Sequence, residues 1–358
     1  MKNNTRISVI IPFFNANSHI DSCIRSLEIQ SNINKIEIIM VNDGSTDQTE
    51  KKIKNCNSIN IKLIQNKENL GPAAARNLGI KSANGEYIYF FDVDDELDKD
   101  TFHNFETNLN ENNYDLIFSD RKRMLNSKNL RENISEYESD KIVHNLEIIE
   151  LMKSRFFNPH KVHRIFDLTG RLIKREIIVK NNIFFEEKLR YLEDECFMWR
   201  VLSNINEAKY IKKQLYIYNI RPNVSSGISE AFKKDFDLNN YLIVRHQLRN
   251  SLQKKGFDKK EISRISDQAY IYLIIGSLVS LTRSIILKKI DEKNSIQYLR
   301  NLINKVVKDE EIPNIAKNYL PYKNENRWIP RAIRLRSSWL LEFFCKRRVE
   351  EILKIRKN

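Results

Sequence analysis

The sequence predicts an α/β fold built on a doubly wound, mostly parallel sheet, followed by a C-terminal α-helical region. Three observations carry this expectation. Short β-branched and aromatic runs alternate with helical spacings through the first hundred residues, the pattern of consecutive strand–helix–strand units. Each run ends in polar residues, and the run at 87–91 ends in Asp92, Val93, Asp94 and Asp95. From residue 231 onward helical periodicity dominates and strand signals cease. A boundary is therefore expected near 230, giving domains 1–230 and 231–358, the first divisible into halves 1–110 and 111–230.

Taken in order, Ile7, Val9, Ile10 and Ile11 form a first buried strand, which Pro12 ends because proline cannot donate to a sheet ladder. Phe13, Phe14 and Asn15 follow as a loop. Ile20, Cys23, Ile24 and Leu27 then repeat at helical spacing. Residues 36–41 are a second strand running into Asn42, Asp43, Gly44 and Ser45, which are turn formers. A third strand at 61–64 precedes a helix at 73–83, with Pro72 suited to its first turn. The run at 87–91 is too short for a helix of its own and reads as a buried strand.

Residues 116–119 suggest a further strand, and 121–141 are polar and weakly periodic, as in a long loop. Residues 146–157 look helical and 168–179 continue the fold. Glu193, Asp194 and Glu195 stand directly before an apolar helical run, and a short strand at 216–218 closes the α/β part. No internal repeat or low-complexity tract occurs.

Composition narrows the chemistry. The 61 Lys and Arg outnumber 47 Asp and Glu, a net charge of +14 that favours anionic partners. Half of that excess lies in 327–358. Cys23, Cys56, Cys196 and Cys345 are far apart with no paired spacing, which points away from zinc and disulfides and fits a reducing cytosol. The first strand begins so early that no secretory leader is expected. The longest apolar stretch, 269–282, is shorter than a membrane span and is expected to be a buried helix.

Three carboxylates at one strand end repel one another unless they share a cation, and Mg²⁺ or Mn²⁺ accepts such ligands while keeping positions for phosphate oxygens. The plainer alternative is a solvated acidic turn. Glu193 and Asp194 likewise have a plain alternative, since acids complement the positive end of a helix. The strand ends supply Phe14, Asn15, Asp43, Arg76, Asp92, Asp94 and Asp95. In a doubly wound sheet these converge on one crevice, and their types suit a nucleoside diphosphate: a ring for the base, an arginine for phosphate, acids for a metal. No glycine precedes Gly44, which argues against a dinucleotide fingerprint, and no Walker loop is present.

Together these segments resemble the inverting GT-A glycosyltransferases of family 2. The matching pieces run from Ser8 to Asn15, from Ile38 to Asp47, from Asn69 to Asn77, through Asp92, Val93, Asp94 and Asp95 as a form of the DxD motif, and on to Glu193 with Asp194 and to Leu215 through Tyr218. The resemblance covers roughly residues 5–230 and implies a nucleotide-sugar half (1–110) and an acceptor half (111–230). It implies that Pro12, Phe14, Asn15 and Asp43 line the base pocket, and that Arg76, Asp92 and Val93 approach the diphosphate and ribose. Asp94, aided by Asp95, would hold Mn²⁺ or Mg²⁺. Asp194, with Glu193 beside it, would be the catalytic base. The residue before that pair is commonly glycine in the family and is Leu192 here.

The implied donor is a nucleoside-diphosphate sugar of the UDP type and the acceptor a glycan or lipid-linked glycan, as in lipopolysaccharide or capsule assembly. Chain-polymerising members resemble one another in a Gln-x-x-Arg-Trp motif. Here Gln297 and Arg300 are followed by Asn301, so transfer of single sugars is expected. His160, His163 and Arg171 are candidate acceptor contacts, although the histidines suit packing or surface roles as well and no third metal ligand accompanies them.

In the tail 327–358, Trp328, Ala332, Leu335, Trp339 and Phe343 recur near helical spacing among arginines. Such a helix could lie on an anionic membrane at the inner face of the cytoplasmic membrane, with the protein otherwise cytoplasmic. Its alternatives are packing against 231–307 or against a second subunit of a homo-oligomer. Two other functions compete. A nucleotidyltransferase would carry a glycine-rich loop after the first strand, which is lacking, and would handle pyrophosphate. A nucleic-acid-binding protein is suggested by charge alone, without a recognition motif, so no nucleic acid is expected as a partner.

Overall fold

The computed structural model describes residues 6–125, 128–129, 135–159, 161, 164–189, 191–220, 237–287, 292–322 and 325–355. The chain divides into two compact units, Met1–Glu150 with Val162–Val224 and Leu151–Lys161 with Ser225–Asn358.

The first unit is a single mixed sheet of ten strands flanked by helices. Its centre is β1 (Ile7–Phe13), whose apolar residues are fully buried. β1 runs parallel to β2 (Ile36–Asp43) on one side and to β4 (Tyr87–Phe90) on the other, with Ile10 opposite both Ile39 and Phe90. β3 (Ile61–Asn66) extends the sheet beyond β2. Between these strands lie α1 (Ile20–Glu28), α2 (Thr49–Lys54) and α3 (Pro72–Ser82). The chain winds outward to β3 and then crosses back to β4, so the sheet reverses direction between β1 and β4. Ligands in open α/β sheets bind at such a reversal, outside the strands' C-terminal ends. α3 can lie close against β1 because Gly79 lacks a side chain, and a Cβ there would sit 2.4 Å from Ile10 Cγ2.

The rest of the sheet is mixed. After β5 (Glu96–Leu97) and α4 (Thr101–Glu111) come β6 (Leu116–Leu125), β7 (Lys128–Asn129), β8 (Lys141–His144), α5 (Asn145–Ser154), β9 (Arg171–Lys174), α6 (Arg175–Lys180), α7 (Glu193–Leu202) and β10 (Glu207–Ile220). The main order is β3-β2-β1-β4-β9-β6-β10-β5. β9 is antiparallel to both β4 and β6, whereas β6 and β10 are parallel. Two strands outrun their sequence signals. β6 continues through Asp120 to Leu125, where a loop was expected, and β10 starts at Glu207, well before 216. Their charged ends pair with each other, Tyr216 opposite Arg121 and Tyr218 opposite Arg123, which polar composition does not advertise.

The second unit is helical, comprising α8 (Leu238–Lys254), α9 (Lys259–Ile286), α10 (Glu292–Lys308), the short α11 (Ile312–Ile315), α12 (Trp328–Arg334) and α13 (Ser338–Ile355). Asp237 and Asp258 cap α8 and α9, accepting from Asn239 N and Glu261 N. The apolar stretch 269–282 lies inside the 28-residue α9, which packs against α8, α10 and α13. By length and composition α9 is the one helix among the described residues able to cross a membrane, yet half of its apolar window is buried within this unit. Gln268 in α9 donates to Phe156 O and Leu320 O and accepts from Leu320 N, tying segments 151–161 and 319–320 to the helix.

The tail is two helices rather than one. They break at 335–337, where Arg336 has φ +53°. Ala332, expected on the lipid-facing side, is buried. All four cysteines are free thiols.

Candidate active site

The acidic loop after β4 is held by the far edge of the sheet. Asp92, Asp94 and Asp95 each offer a carboxylate oxygen within 4.8 Å of the other two. Asp95 is buried, and its oxygens accept from Tyr216 Oη (2.7 Å) and Asn219 N (2.9 Å). Tyr216 Oη in turn accepts from Asp92 N at 3.4 Å. Asn219 Nδ2 adds bonds to Asp94 O (3.3 Å) and Glu96 Oε1 (3.2 Å). Burial, Asp92 and Asp94 push the Asp95 carboxyl up to about 8, opposed by the bonds from Tyr216 and Asn219. Oxygen ligands so clustered fit a hard divalent cation. Asp92 and Asp94 are partly open, and Asp95 chiefly fixes the loop.

Arg76 sits in the first turns of α3 with its side chain buried. Its Nη2 donates to Asp92 Oδ1 (3.1 Å), and its Nη1 to Asp194 Oδ1 (2.9 Å) and Glu193 Oε1 (3.3 Å). Its guanidinium also lies 5.5 Å from the Phe185 ring. Burial disfavours the charge on Arg76, but Asp194, Asp92 and Glu193 outweigh it and raise its pKa. The sequence reading turned Arg76 toward a diphosphate. In the structure its two Nη atoms meet the two acidic clusters, which would repel each other without a cation between them, while its buried Nε has no partner.

The three acids that open α7 have distinct surroundings. Glu193 is buried against Arg76. Glu195 accepts from Trp199 Nε1 at 3.0 Å, one helical turn on. Asp194 keeps 43% of its side-chain exposure. Its carboxyl is pushed up to about 7 by burial, with Glu193, Asp92 and Glu195 adding to the rise and Arg76 opposing it. Solvent contact tempers that shift. Leu192, which precedes them, takes φ +66°, a left-handed conformation that glycine adopts freely and that costs another residue about 1 kcal/mol. Leu192 thus bears strain at this turn that a glycine would not.

At the β1 and β2 ends, Asn15 Oδ1 accepts from Thr46 N (2.8 Å) and Asn15 N donates to Ser45 Oγ (3.0 Å), so the two loops are joined. Phe14 beside them is 47% exposed, an open ring face, and Pro12 is half-buried. Asp43 is buried. Its oxygens accept from Asn66 Nδ2, Leu70 N and Gly71 N, so it pegs the loop leading into α3 rather than standing open to a base. Val93 packs against the core of the sheet.

Arg171 does not face an acceptor. It is fully buried in β9, donates to Arg164 O, Ser119 O, Gly170 O and Asp167 Oδ2, and serves as an internal bracket. Burial lowers its pKa to about 10. His160 and His163 lie outside the described residues. Tyr216 and Asn219 were given no role from sequence. The available signal was the 215–218 segment itself, one of the pieces that carry the family resemblance.

A sheet reversal rimmed by a metal-competent acid cluster, with a second acidic pair joined to it through one arginine, defines a GT-A type transferase fold. Residues 8–180 match the family model described as glycosyl transferase family 2. Among curated relatives, the chain is 28% identical over 225 residues to the uncharacterized glycosyltransferase EpsJ of Bacillus subtilis (strain 168), covering 61% of this chain and 62% of EpsJ. It is 28% identical over 217 residues to the poly(ribitol-phosphate) beta-N-acetylglucosaminyltransferase TarS of Staphylococcus aureus (strain Mu50 / ATCC 700699), covering 60% of this chain and 35% of TarS. The chain therefore spans less than two thirds of either relative.

The crystal structure of S. aureus TarS 1–349 in complex with UDP-GlcNAc superposes with a TM-score of 0.67 at 19% identity, covering 97% of this chain and 92% of that one. The mannosyltransferase PcManGT from Pyrobaculum calidifontis, in complex with GDP-Man and Mn²⁺, does so with a TM-score of 0.50 at 12% identity, over 96% and 86% of the two chains. The likeness to glycosyl transferase family 2 thus lies in residues 8–180 of the chain.

Proposed function

We propose that this protein moves one sugar from a UDP-sugar to a hydroxyl of a glycan acceptor, with inversion at the anomeric carbon, in the assembly of a surface polysaccharide such as lipopolysaccharide or capsule. The observation that carries the proposal is the Arg76 guanidinium, which holds Asp92 of the nucleotide side and Asp194 of α7 within one hydrogen-bonded group. The UDP-GlcNAc complex of TarS supports the choice of donor.

Phe14 supplies a face for the base, and Asn15 keeps its loop in place. Asp94 and Asp92 are the residues that would hold Mn²⁺ or Mg²⁺, with Asp95 fixing their loop. Such an ion offsets charge on the departing diphosphate. Asp194 accepts the acceptor hydroxyl's proton as that oxygen attacks the anomeric carbon from the face opposite the diphosphate. A base near neutrality is only partly protonated at pH 7, and Arg76 keeps it oriented while limiting the rise in its pKa. A single displacement of this kind inverts configuration.

Asp194→Asn tests the reading directly. Incubated with UDP-sugars and a glycan acceptor, with and without Mn²⁺, the wild type should release UDP. The variant should lose transfer by about two orders of magnitude or more while binding UDP-GlcNAc as the wild type does. Release of pyrophosphate instead of UDP would make the protein a nucleotidyltransferase, and undiminished turnover in the variant would move the base elsewhere.

A further inference from the structure

The tail helices turn one face inward and leave another open. Ile329, Ile333, Leu341, Cys345 and Val349 are buried within the second unit. Trp328, Leu335, Trp339 and Phe343 nevertheless keep 53%, 69%, 72% and 42% of their surfaces exposed. They are not scattered. Trp339 stacks on Phe343 at 5.8 Å, Phe343 meets Phe344 edge-on at 5.2 Å, and Phe344 stacks on Trp328 at 5.6 Å. One aromatic strip therefore joins α12 to α13.

The charge around this strip is mainly positive, with Glu350 and Glu351 as exposed acids beside Phe343, Lys346 and Arg347. Between 327 and 349 the exposed ionic residues are Arg327, Arg331, Arg334, Arg336, Lys346 and Arg347. The acid in that interval, Glu342, is held by Arg300 (3.2 Å) and Lys346 (2.7 Å). Arg331 lies 4.7 Å over the Trp328 ring, so cation and aromatic face the same way.

We propose that this strip is a docking surface for an anionic lipid membrane. Tryptophan and phenylalanine settle at the boundary between headgroups and acyl chains, and arginines beside them meet anionic headgroups. The strip belongs to a folded surface, because the inward face of the same helices is already packed. That separates it from a free amphipathic helix, which must fold on binding. A second copy of the chain is the poorer occupant: a two-fold interface sets the same patch against itself and would bring an excess of cations together, with Glu350 and Glu351 too few to balance them. The surface stands independently of which sugar is transferred.

The test floats the full chain with vesicles of phosphatidylcholine alone and of phosphatidylcholine with phosphatidylglycerol, at low and high salt. The chain should bind the anionic vesicles, and salt should weaken that binding. Trp339→Ser with Phe343→Ser, and separately Arg331→Glu with Arg334→Glu, should each lower the vesicle-bound fraction about tenfold. All four side chains are exposed, so circular dichroism should match the wild type. The proposal is overturned if the wild type binds neither vesicle, or binds both alike. It is also overturned if the variants bind as the wild type does, or if light scattering finds a dimer that Trp339→Ser with Phe343→Ser dissociates.

Discussion

Replacing Arg76 by methionine keeps the length of the side chain and removes the charge that three carboxylates share. The consequences differ among the three because their exposure differs. Glu193 is 10% exposed and would lose its cation inside the protein, the situation in which breaking a buried pair costs about 3–5 kcal/mol. Asp92 and Asp194 are 32% and 43% exposed, so water replaces much of what they lose, and their shares are discounted. A total near the lower bound, about 3 kcal/mol, corresponds to a fall in melting temperature of about 6–12 °C for a domain of this size.

The second consequence is electrostatic. Arg76 opposes the burial and the neighbouring acids that raise Asp194, and without it the Asp194 pKa rises above about 7. A general base works when deprotonated, so the acid limb of kcat/KM moves to higher pH, where activity is partly regained. Arg76→Lys keeps the charge and should fall between the two. Thermal unfolding followed by a pH–rate profile with a UDP-sugar measures both effects. If Arg76→Met melts within a degree or two of the wild type and keeps its acid limb, the guanidinium does not couple the two acidic clusters.

Three further outcomes are expected. Asp94→Ala should abolish the Mn²⁺-dependent part of UDP binding in calorimetry, and tight metal-dependent binding in the variant would remove Asp94 from the ligand set. Tyr216→Phe deletes the hydroxyl that donates to buried Asp95, so it should destabilise the protein by about 1–2 kcal/mol and weaken Mn²⁺-dependent nucleotide binding. Unchanged values would show that the Tyr216 hydroxyl does not anchor the loop. In the second unit, burial pushes Glu325 up to about 7 against its bonds from Tyr319 and Tyr322. An acid raised on folding stabilises fully below its unfolded pKa, and that contribution, up to about 3 kcal/mol, is lost as pH climbs through 7. Glu325→Gln should therefore flatten the fall in melting temperature between about pH 4.5 and 7, and an unaltered slope would exclude Glu325 as its source.

The parallel half of the sheet was legible because β1, β2 and β4 are covered on both faces and so must read as continuous apolar runs. The acids at their ends stood out for the same reason, as charges abutting residues that never meet water. Where strands meet through charged side chains this signal fails. Asp120, Arg121, Lys122 and Arg123 look like loop, yet pairing with β10 keeps them in the sheet. Arg171 was expected to meet the acceptor because sequence gives no hint that four backbone and carboxylate oxygens surround it.

The tail shows the same limit in helical form. Apolar residues at 328, 335, 339 and 343 follow one spacing, and those at 329, 333, 341, 345 and 349 follow another. Periodicity alone cannot tell which set the core takes.

The acidic pair of α7 marks the deeper boundary between pattern and fold. Local spacing brings Asp194 to a helix start, where complementing the dipole is reason enough for an acid. What distinguishes it is a guanidinium 118 residues earlier in the chain, reaching it at 2.9 Å while also holding the acid that ends β4. Leu192 adds a physical sign that this geometry matters to the fold. A β-carbon in left-handed backbone is unfavourable, and this one directly precedes the two acids that pair with Arg76. The strain therefore lies beside the residue argued to take the proton, whose carboxylate is oriented by its bond from Arg76.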